Sequence, residues 1–486
     1  MKHPICPSND STPLPKRLID VSAGQNPKLY ESAGESGKYV ALSHRWGTSL
    51  IKTTLTTYTR RRLEIKWGEL PRIFQDAITI TRRLGLSYIW IDSLCIVQDD
   101  IKDWQEQSAQ MASIYAASYI TIAATSSDDS DSTCLSRTNR SEMPAPLNSH
   151  QIFARKQIKH EHMFNSRKND AAYPLFSRAW CFQERLLATR ILHYTEQEIV
   201  FECRTGYQCE CDGIWKGNDE AVSGCMKLAY AQILQESRKS GKGDRYLGPT
   251  LSSSCNKETL LWFRVLGDYT TKEMTFERDT LSALSGVANR MPTDLMGDYL
   301  AGLWQKDLIY GLLWRSEDGT ECSRHRIYIA PSFSWASRSG PITFPPFTSR
   351  HQPSASILEA KCETATFNRT GEVRDGFVKL CGVLAQLSYS QDAREGISPI
   401  SYMRKEGSDQ KVVVLVDARN ETAELVPRSV FCLSMLQYGR PPKHVALVLK
   451  ECSFPGRSDG FMRIGLANEV PGLWFRNAAD REVTIY

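Results

Sequence analysis

The stretch from residue 88 to residue 124 constrains the fold of this chain more than any other. Its first run, residues 88–97, is short, apolar and rich in β-branched and aromatic residues, which is typical of a buried strand. A capping-box-like start at Asp103 and the helical spacing of apolar residues up to Tyr115 predict a helix. Residues 119–124 return to strand character. Strand, helix and strand in this order predict a βαβ unit in a parallel sheet covered by helices.

Two earlier elements complete the predicted sheet. Residues 39–43 are predicted to be a strand that ends in the polar and aromatic turn 44–47. Pro71 in a first helical turn and Gly85 as a C-cap predict a helix over residues 71–84. Ligands of such sheets bind beyond the carboxyl ends of the strands, so the functional site is expected near residues 92–98.

The remaining chain shows three further kinds of pattern. A helix is predicted over residues 177–187 with Ser177 as its cap, and residues 190–194 and 199–203 form a predicted hairpin. Helical spacing dominates from residue 260 to residue 314, and short strands separated by polar turns follow. The predicted strands lie at residues 377–384, 411–416, 429–436, 444–449 and 461–466. The predicted parts are an N-terminal arm (1–37), an α/β domain (38–205), a mainly helical region with loops (206–345) and a β-rich C-terminal domain (346–486).

Composition narrows the classes of function. The formal net charge is only +5 over 486 residues, and no basic cluster is interleaved with aromatic residues, so we expect no nucleic-acid partner. No apolar run approaches the roughly 20 residues of a membrane helix, and no membrane span is expected. The first residues lack the apolar region of a signal peptide, and the 14 cysteines are scattered, which favours a cytoplasmic location.

Three closely spaced cysteines form the only cluster of metal-ligating type that stands out in the sequence. Cys203, Cys209 and Cys211 have the spacing C-x5-C-x-C, and Cys225 follows. This spacing matches no standard zinc motif. Loop thiols are therefore favoured over a structural metal, and no metal ligand is assigned.

Glu184 is the strongest candidate for a functional carboxylate. On the predicted helix its neighbours at i−4, i−3, i+3 and i+4 are all uncharged, so it has no intrahelical ion-pair partner. A glutamate in such surroundings has a raised pKa, a property that is common among functional carboxylates. The alternative is an ion pair with Arg45 or Arg178. Asp92 at a strand end either caps the following turn, which is favoured, or faces a ligand.

Three motifs, in the expected order, resemble the fungal heterokaryon-incompatibility (HET) domain. The first is YVALSHRWG at residues 39–47. The second joins Leu-Pro and Asp-Ala-Ile in residues 70–78 to WIDSLCIVQDD at residues 90–100. The third is RAWCFQERLL at residues 178–187. The resemblance covers about residues 39–203. It departs from the family at His44-Arg45, where an aromatic residue and a cysteine are usual.

The resemblance implies a fold and an activity. HET domains act in programmed cell death when genetically different hyphae fuse, and they are distantly similar to TIR domains, whose α/β fold is flavodoxin-like. TIR enzymes cleave NAD with a glutamate in a W-C-x-x-E pattern, which residues 180–184 match. The resemblance therefore implies a TIR/flavodoxin-like parallel sheet with flanking helices and a candidate NAD glycohydrolase with Glu184 as the catalytic carboxylate. The implied pocket residues are Ser43, His44, Arg45, Trp46, Gly47, Asp92 and Trp180.

Two functional hypotheses follow from the resemblance. In the first, the Glu184 carboxylate stabilises positive charge on the ribose as nicotinamide leaves, and no cofactor or general acid is needed because nicotinamide leaves as a neutral molecule. In the second, the chain is a non-enzymatic signalling and assembly module, and Glu184 is structural. The expected partners are NAD as substrate and a second copy of the chain or another cell-death protein.

Overall fold

The structure is a computed structural model, and its described residues form two compact units, Met1–Ser240 and Gly241–Tyr486. It describes residues 6–9, 11–47, 51–127, 133–134, 145–146, 153–154, 173–211, 215–217, 226–239, 255–317, 320, 322–394, 397–418, 429–454 and 456–486. Most of the polar excursion predicted after residue 125 therefore lies outside the described residues. The boundaries predicted at residues 37, 205 and 345 stay predictions.

The first unit is built on one nine-stranded sheet. Its strands are Arg17–Asp20 (β1), Lys28–Glu31 (β2), Val40–Ser43 (β3), Tyr88–Trp90 (β4), Ile120–Ala123 (β5), Arg190–Tyr194 (β6), Ile199–Cys203 (β7), Gly206–Cys209 (β8) and Trp215–Gly217 (β9). The helices are Tyr58–Leu63 (α1), Arg72–Arg83 (α2), Asp92–Cys95 (α3), Ile101–Ala117 (α4), Ala179–Leu187 (α5) and Met226–Lys239 (α6). Single 3-10 turns lie at Trp67–Glu69 and Pro174–Ser177. Two-residue strands pair Thr12–Pro13 with Ser36–Gly37, and Ala145–Pro146 with Phe153–Ala154.

The strand order of this sheet is β9-β8-β7-β6-β5-β3-β4-β1-β2. The three strands of the predicted parallel sheet are indeed parallel, since β3 pairs in parallel with both β4 and β5. Strand β6 extends the parallel part beside β5. Every residue of β3 and β5 is buried, as expected for central strands covered on both faces.

The sheet as a whole is mixed, whereas the sequence predicted a parallel one. Strands β1 and β2 form an antiparallel ribbon that pairs with β4, and β6 to β9 form an antiparallel meander on the other side. Short connections allow only antiparallel neighbours, because parallel strands need a long crossover. The ribbon comes from the segment predicted to be an arm, and it joins the sheet by burying Leu18 and Ile19 completely.

The parallel part contains a change in winding direction. Its order β4-β3-β5-β6 is 2-1-3-4 in chain sequence. The connection after β3 runs towards β4, and the connection after β5 runs the opposite way, towards β6. A crevice for ligands forms at the carboxyl ends of two strands that diverge in this manner. In this sheet the crevice lies beyond Ser43 and Ala123, the last residues of β3 and β5.

The apolar run over residues 88–97 divides into a strand and a short helix, and the strand agrees with the predicted strand end at Asp92. Strand β4 covers only Tyr88–Trp90, and the short helix α3 follows at Asp92–Cys95. Asp92 Oδ1 accepts a hydrogen bond from the backbone nitrogen of Ser93 at 2.6 Å, which stabilises the start of this turn. A short apolar run has the same composition in a buried strand and in a buried helical turn, so the sequence could not separate them.

Two predicted helix caps are also wrong. Helix α4 is capped by Asp100, whose side chain accepts hydrogen bonds from the backbone nitrogens of Lys102 and Asp103 at 3.0 and 3.2 Å. Asp103 itself is buried and forms an ion pair with Arg17 on β1. Ser177 ends the 3-10 turn before α5 and does not cap that helix. For Asp103 an ion pair with a distant residue replaced the local role, whereas the Ser177 hydroxyl donates locally to the carbonyl oxygen of Pro174 at 2.9 Å.

We expect a fragment of residues 1–240 to be more stable than one ending at residue 205. Helix α6 packs against α5, and its Lys227 Nζ lies 3.9 Å from the fully buried carboxylate of Glu202. A chain ending at 205 lacks this cation and leaves the outer edge of β7 without β8. Circular dichroism and urea unfolding of both fragments measure the difference. Equal unfolding midpoints would show that residues 206–240 contribute nothing to the unit.

The second unit begins with helices and ends in strands. Its helices are Lys257–Tyr269 (α7), Asp279–Ala288 (α8), Thr293–Met296 (α9) and Leu308–Gly311 (α10). Two-residue strands pair Tyr299–Leu300 with Leu303–Trp304, Arg315–Ser316 with Ile342–Thr343, and Ser323–Arg324 with Arg338–Ser339. Two further 3-10 turns lie at Trp335–Ser337 and Gly472–Trp474. The larger strands are Gln352–Pro353 (β10), Ala355–Thr364 (β11), Val373–Arg394 (β12), Ile397–Arg404 (β13), Val412–Val416 (β14), Ser429–Tyr438 (β15), Lys443–Cys452 (β16), Gly460–Pro471 (β17) and Asp480–Ile485 (β18).

The C-terminal strands confirm the predicted β-rich region. Strands β12, β13, β14, β17, β16 and β15 pair in this order, all antiparallel, and β15 pairs again with β12, so the six strands close on themselves. The five strands predicted after residue 370 all fall on members of this set. No helix among the described residues is long and apolar enough to cross a membrane.

Candidate functional site

Glu184 lies at the carboxyl edge of the parallel strands. Helix α5 packs against β3, which brings Glu184 close to Ser43 at the end of that strand. The residue is only 4 % exposed, and its Oε2 atom has no hydrogen-bond partner in the described part of the chain. A buried carboxylate oxygen without a donor is costly when it is ionised. The local geometry therefore favours the protonated form.

The electrostatic surroundings of Glu184 agree with this geometry. Burial raises its pKa to about 7, although the Ser43 hydroxyl, Tyr115 and the charge of Arg178 act in the opposite direction. The negative charge of Asp92 adds to the increase. The Tyr115 hydroxyl donates to the carbonyl oxygen of Leu42 at 2.9 Å, so its proton is already used. Among the described ion pairs none includes Glu184, and the alternative of a close pair with Arg45 or Arg178 is not what the structure shows.

The turn after β3 is attached to the turn after β4. Trp46 Nε1 donates a hydrogen bond to Asp92 Oδ2 at 2.7 Å, and His44 Nδ1 lies 4.0 Å from Asp92 Oδ1. His44 is buried, and its ring packs edge-on against Phe74 with the centroids 5.1 Å apart. Burial lowers the pKa of His44, so the imidazole is neutral at pH 7. Asp92 therefore holds both turns in place, and its link to Trp46 joins two residues of the predicted pocket.

The other predicted pocket residues lie in the same region and are half-buried, whereas Ser43 and His44 are buried. Arg45, Trp46 and Gly47 are half-buried in the turn after β3, and Lys52 Nζ lies 5.1 Å from the ring centre of Trp46. Trp180 is half-buried on α5 and packs against the apolar core. The structure thus brings the turn, Asp92 and the helix that carries Glu184 to one edge of the sheet.

A small cavity lies beneath this edge. Its volume is about 10 Å³, which accommodates roughly one water molecule. Small-molecule sites usually measure about 300–1,000 Å³, so a dinucleotide does not fit into this cavity without movement of side chains. The lining residues are Ser43, Thr121, Ala123, Leu175, Phe176, Cys181, Arg185, Ile191 and His193.

A buried polar network borders the cavity, and the sequence did not predict it. Glu202 on β7 is fully buried and accepts two hydrogen bonds from Arg185, from Nε and Nη2, each at 3.0 Å. Its Oε2 atom lies 2.9 Å from His193 Nε2, and His193 Nδ1 lies 3.0 Å from the Thr125 hydroxyl. Lys227 Nζ lies 3.9 Å away on α6. The sequence contains one sign of this network, which is the glutamate at position 202 within the apolar run IVFEC that forms β7.

The charges of this network are set by burial and by neighbouring groups. Burial alone would raise the pKa of Glu202, but Arg185, Lys227 and His193 together hold it well below its usual range. Burial lowers the pKa of His193 despite the nearby carboxylate. A neutral His193 that donates from Nε2 to Glu202 leaves Nδ1 to accept from Thr125. The network thus holds an ionised carboxylate near the two cations Arg185 and Lys227, and Arg185 directly follows Glu184 on α5.

The raised pKa of Glu184 predicts a pH-dependent stability. The folded chain holds this proton up to a pKa of about 7, whereas the ordinary value is 4.5, so this group's contribution to stability falls between pH 4.5 and about 7 and is constant above. The difference between these two pKa values corresponds to about 3 kcal/mol in the free energy of unfolding. Glu184→Gln cannot ionise. Its free energy of unfolding minus that of the wild type should therefore increase by about this amount between pH 4.5 and pH 8 in urea titrations. A constant difference would contradict the buried placement of the carboxylate.

The comparisons with known proteins agree with the three motifs. Residues 39–184 match the family model described as heterokaryon incompatibility protein (HET). No curated protein and no solved structure matches the chain. The matched segment begins at the strand β3 and ends at Glu184, so it contains the edge of the sheet described above. Residues 39–184 of this chain are therefore a HET domain.

Proposed function

We propose that this HET-domain protein acts in heterokaryon incompatibility by cleaving NAD, with Glu184 as the catalytic carboxylate. The observation that supports this most strongly is the position of Glu184. It is a carboxylate with a pKa raised to about 7, next to Ser43, where the parallel strands diverge. Carboxylates with perturbed pKa values in such positions are often functional. The W-C-x-x-E pattern of residues 180–184 is the second support.

The strand order of the parallel part is a third support. The order 2-1-3-4 is the beginning of the flavodoxin-like order 2-1-3-4-5, in which ligands bind at the point where the winding direction changes. In this chain that point lies between β3 and β5, at Ser43 and Ala123. A TIR-like origin of the domain accounts for both the order and the position of Glu184.

The proposed reaction breaks the bond between the ribose and nicotinamide. Nicotinamide leaves with the bonding electron pair as a neutral molecule, and the ribose becomes positively charged. The ionised form of Glu184 stabilises this charge, and water then attacks the ribose and loses a proton. The Ser43 hydroxyl lies close to the carboxylate and favours its ionised form. Catalysis therefore requires the deprotonated Glu184, and the rate should rise with pH through about 7.

One observation favours the second hypothesis, a non-enzymatic assembly module. Glu184 is 4 % exposed and the neighbouring cavity holds about one water molecule, so the substrate reaches the carboxylate only if side chains move. Under the enzymatic proposal, assembly or binding of a partner supplies this opening. Under the alternative, the burial is permanent and Glu184 serves packing alone.

Nicotinamide release from NAD by the purified full-length chain separates the two hypotheses. The assay compares a dilute solution with a concentrated or crowded one that promotes assembly. Turnover that appears or increases on assembly supports the enzymatic proposal. Absence of nicotinamide release from assembled wild-type protein would refute the proposal and leave the assembly module.

A further inference from the structure

The open end of the β7–β8 hairpin brings together three metal-ligating side chains. They are Glu198, which precedes β7, Cys209, which ends β8, and Cys211, two residues later. Their ligand atoms all lie within 4.8 Å of one another. Glu198 and Cys209 are buried, and Cys211 is half-buried. Among the described residues this is the group with metal-site spacing, and it lies outside the region of Glu184.

The strand register explains why these residues converge. Val200 pairs with Cys209, and the backbone nitrogen of Glu210 donates to Ile199 at 2.9 Å. Continuing this register by one position places Glu198 opposite Cys211. Cys211 lies in the turn that follows β8, and this turn brings its sulfur to 3.1 Å from the sulfur of Cys209. The three ligands are therefore an outcome of antiparallel pairing, which the spacing of cysteines alone does not reveal.

The distances are compatible with a small ion. The two sulfurs lie 3.1 Å apart, and Glu198 Oε2 accepts a hydrogen bond from the backbone nitrogen of Cys211 at 3.1 Å. Tetrahedral coordination with Zn–S bonds of about 2.3 Å separates two sulfurs by about 3.8 Å. The sulfurs would therefore move apart by roughly 0.7 Å on binding. The half-buried position of Cys211 allows this movement at the end of the strand.

We propose that Cys209, Cys211 and Glu198 bind one zinc ion, with water in the fourth position. Two thiolates select a soft or borderline metal, and a carboxylate completes three protein ligands in the manner of an open zinc site. Each thiol releases its proton as the metal binds, so the ion with its three anionic ligands carries one net negative charge. The zinc would join the start of β7 to the end of β8 and stabilise this edge of the sheet.

Cys203, which the sequence grouped with the other two, does not belong to this site. It lies at the opposite end of β7, where it pairs with Arg190 of β6. Its sulfur accepts a hydrogen bond from the backbone nitrogen of Thr205 at 3.4 Å. Cys203 is therefore a matched control, being a buried cysteine of the same hairpin outside the cluster.

The test uses the reduced, metal-free full-length chain and a titration with zinc against a coloured chelator. The wild type should bind one zinc per chain, and cadmium at the same site should give thiolate-to-metal absorption in the ultraviolet. Cys209→Ser, Cys211→Ser and Glu198→Gln should each weaken zinc binding by at least tenfold, since even outer-shell changes cost about 10–100-fold. Cys203→Ser should bind zinc as the wild type does.

Glu198→Gln keeps the proposal testable if a cysteine variant unfolds. The amide oxygen of glutamine preserves the hydrogen bond from Cys211, while the anionic ligand is lost. Melting temperatures of all variants identify those that are folded. A reduced wild type that binds no zinc overturns the proposal. So does a Cys203→Ser variant that remains folded and loses as much affinity as Cys209→Ser.

Discussion

Glu184→Gln should lower the rate of nicotinamide release by roughly 10²–10³. The substitution keeps the shape of the side chain and its capacity for hydrogen bonds, but it removes the negative charge that would face the ribose. Loss of one electrostatic group aimed at a developing charge typically has an effect of this size. The measurement is steady-state turnover of NAD under the assembled condition, for wild type and variant side by side.

Stability and activity should change in opposite directions in this variant. The amide avoids the cost of ionising a buried carboxyl group whose pKa is raised to about 7, so the variant should be at least as stable as the wild type at pH 8. Glu106→Gln is the control, because Glu106 is a half-buried carboxylate on α4 that pairs only with Lys16 among the described ion pairs. It should turn over NAD as fast as the wild type. Equal turnover by Glu184→Gln and wild type would remove Glu184 from catalysis.

Glu202→Gln should destabilise the first unit by about 3–5 kcal/mol. The carboxylate is fully buried and holds a bidentate pair with Arg185 together with His193. Its replacement by an amide removes the buried negative charge beside Arg185 and Lys227, and Lys227 is itself 2 % exposed. Removal of one partner from a buried ion pair has a large effect for this reason, even where the intact pair adds little.

Urea unfolding of the full-length chain at pH 7 measures this change. Glu196→Gln is the matched control, because Glu196 is an exposed glutamate in the same hairpin. It should change the free energy of unfolding by no more than about 0.5 kcal/mol. The double variant Glu202→Gln with Lys227→Met should recover part of the loss, because it also removes one of the two cations. A Glu202→Gln variant as stable as the wild type would show that the network contributes nothing.

Local patterns in the sequence were sufficient for the centre of the fold. The apolar β-branched runs at residues 39–43, 88–91 and 119–123 predicted parallel strands, and β3, β4 and β5 confirm them. Helical spacing located α2 and α4 to within two residues. These features depend on neighbours a few positions apart, and such neighbours remain close in any folded form of the chain.

The same local reasoning was wrong where a distant contact competed. Asp103 satisfied the pattern of a helix cap, but Arg17 is buried beside it and Asp100 caps the helix. The pairing of β1 with β2 and with β4 was not predicted, because two short strands carry too few residues to reveal where they pair. Both outcomes depend on which segments meet in space.

The sequence alone determined that this chain carries a HET domain with a parallel centre, and that Glu184 has no ion-pair partner within its own helix. Only the tertiary structure decided how deeply Glu184 is buried, which residues surround Glu202, and that Glu198 and not Cys203 joins Cys209 and Cys211. The physical reason is register. The pairing of strands and the packing of α5 on β3 set the distances between residues far apart in the chain. A shift of one position in β7, for example, would send Glu202 to the opposite face of the sheet.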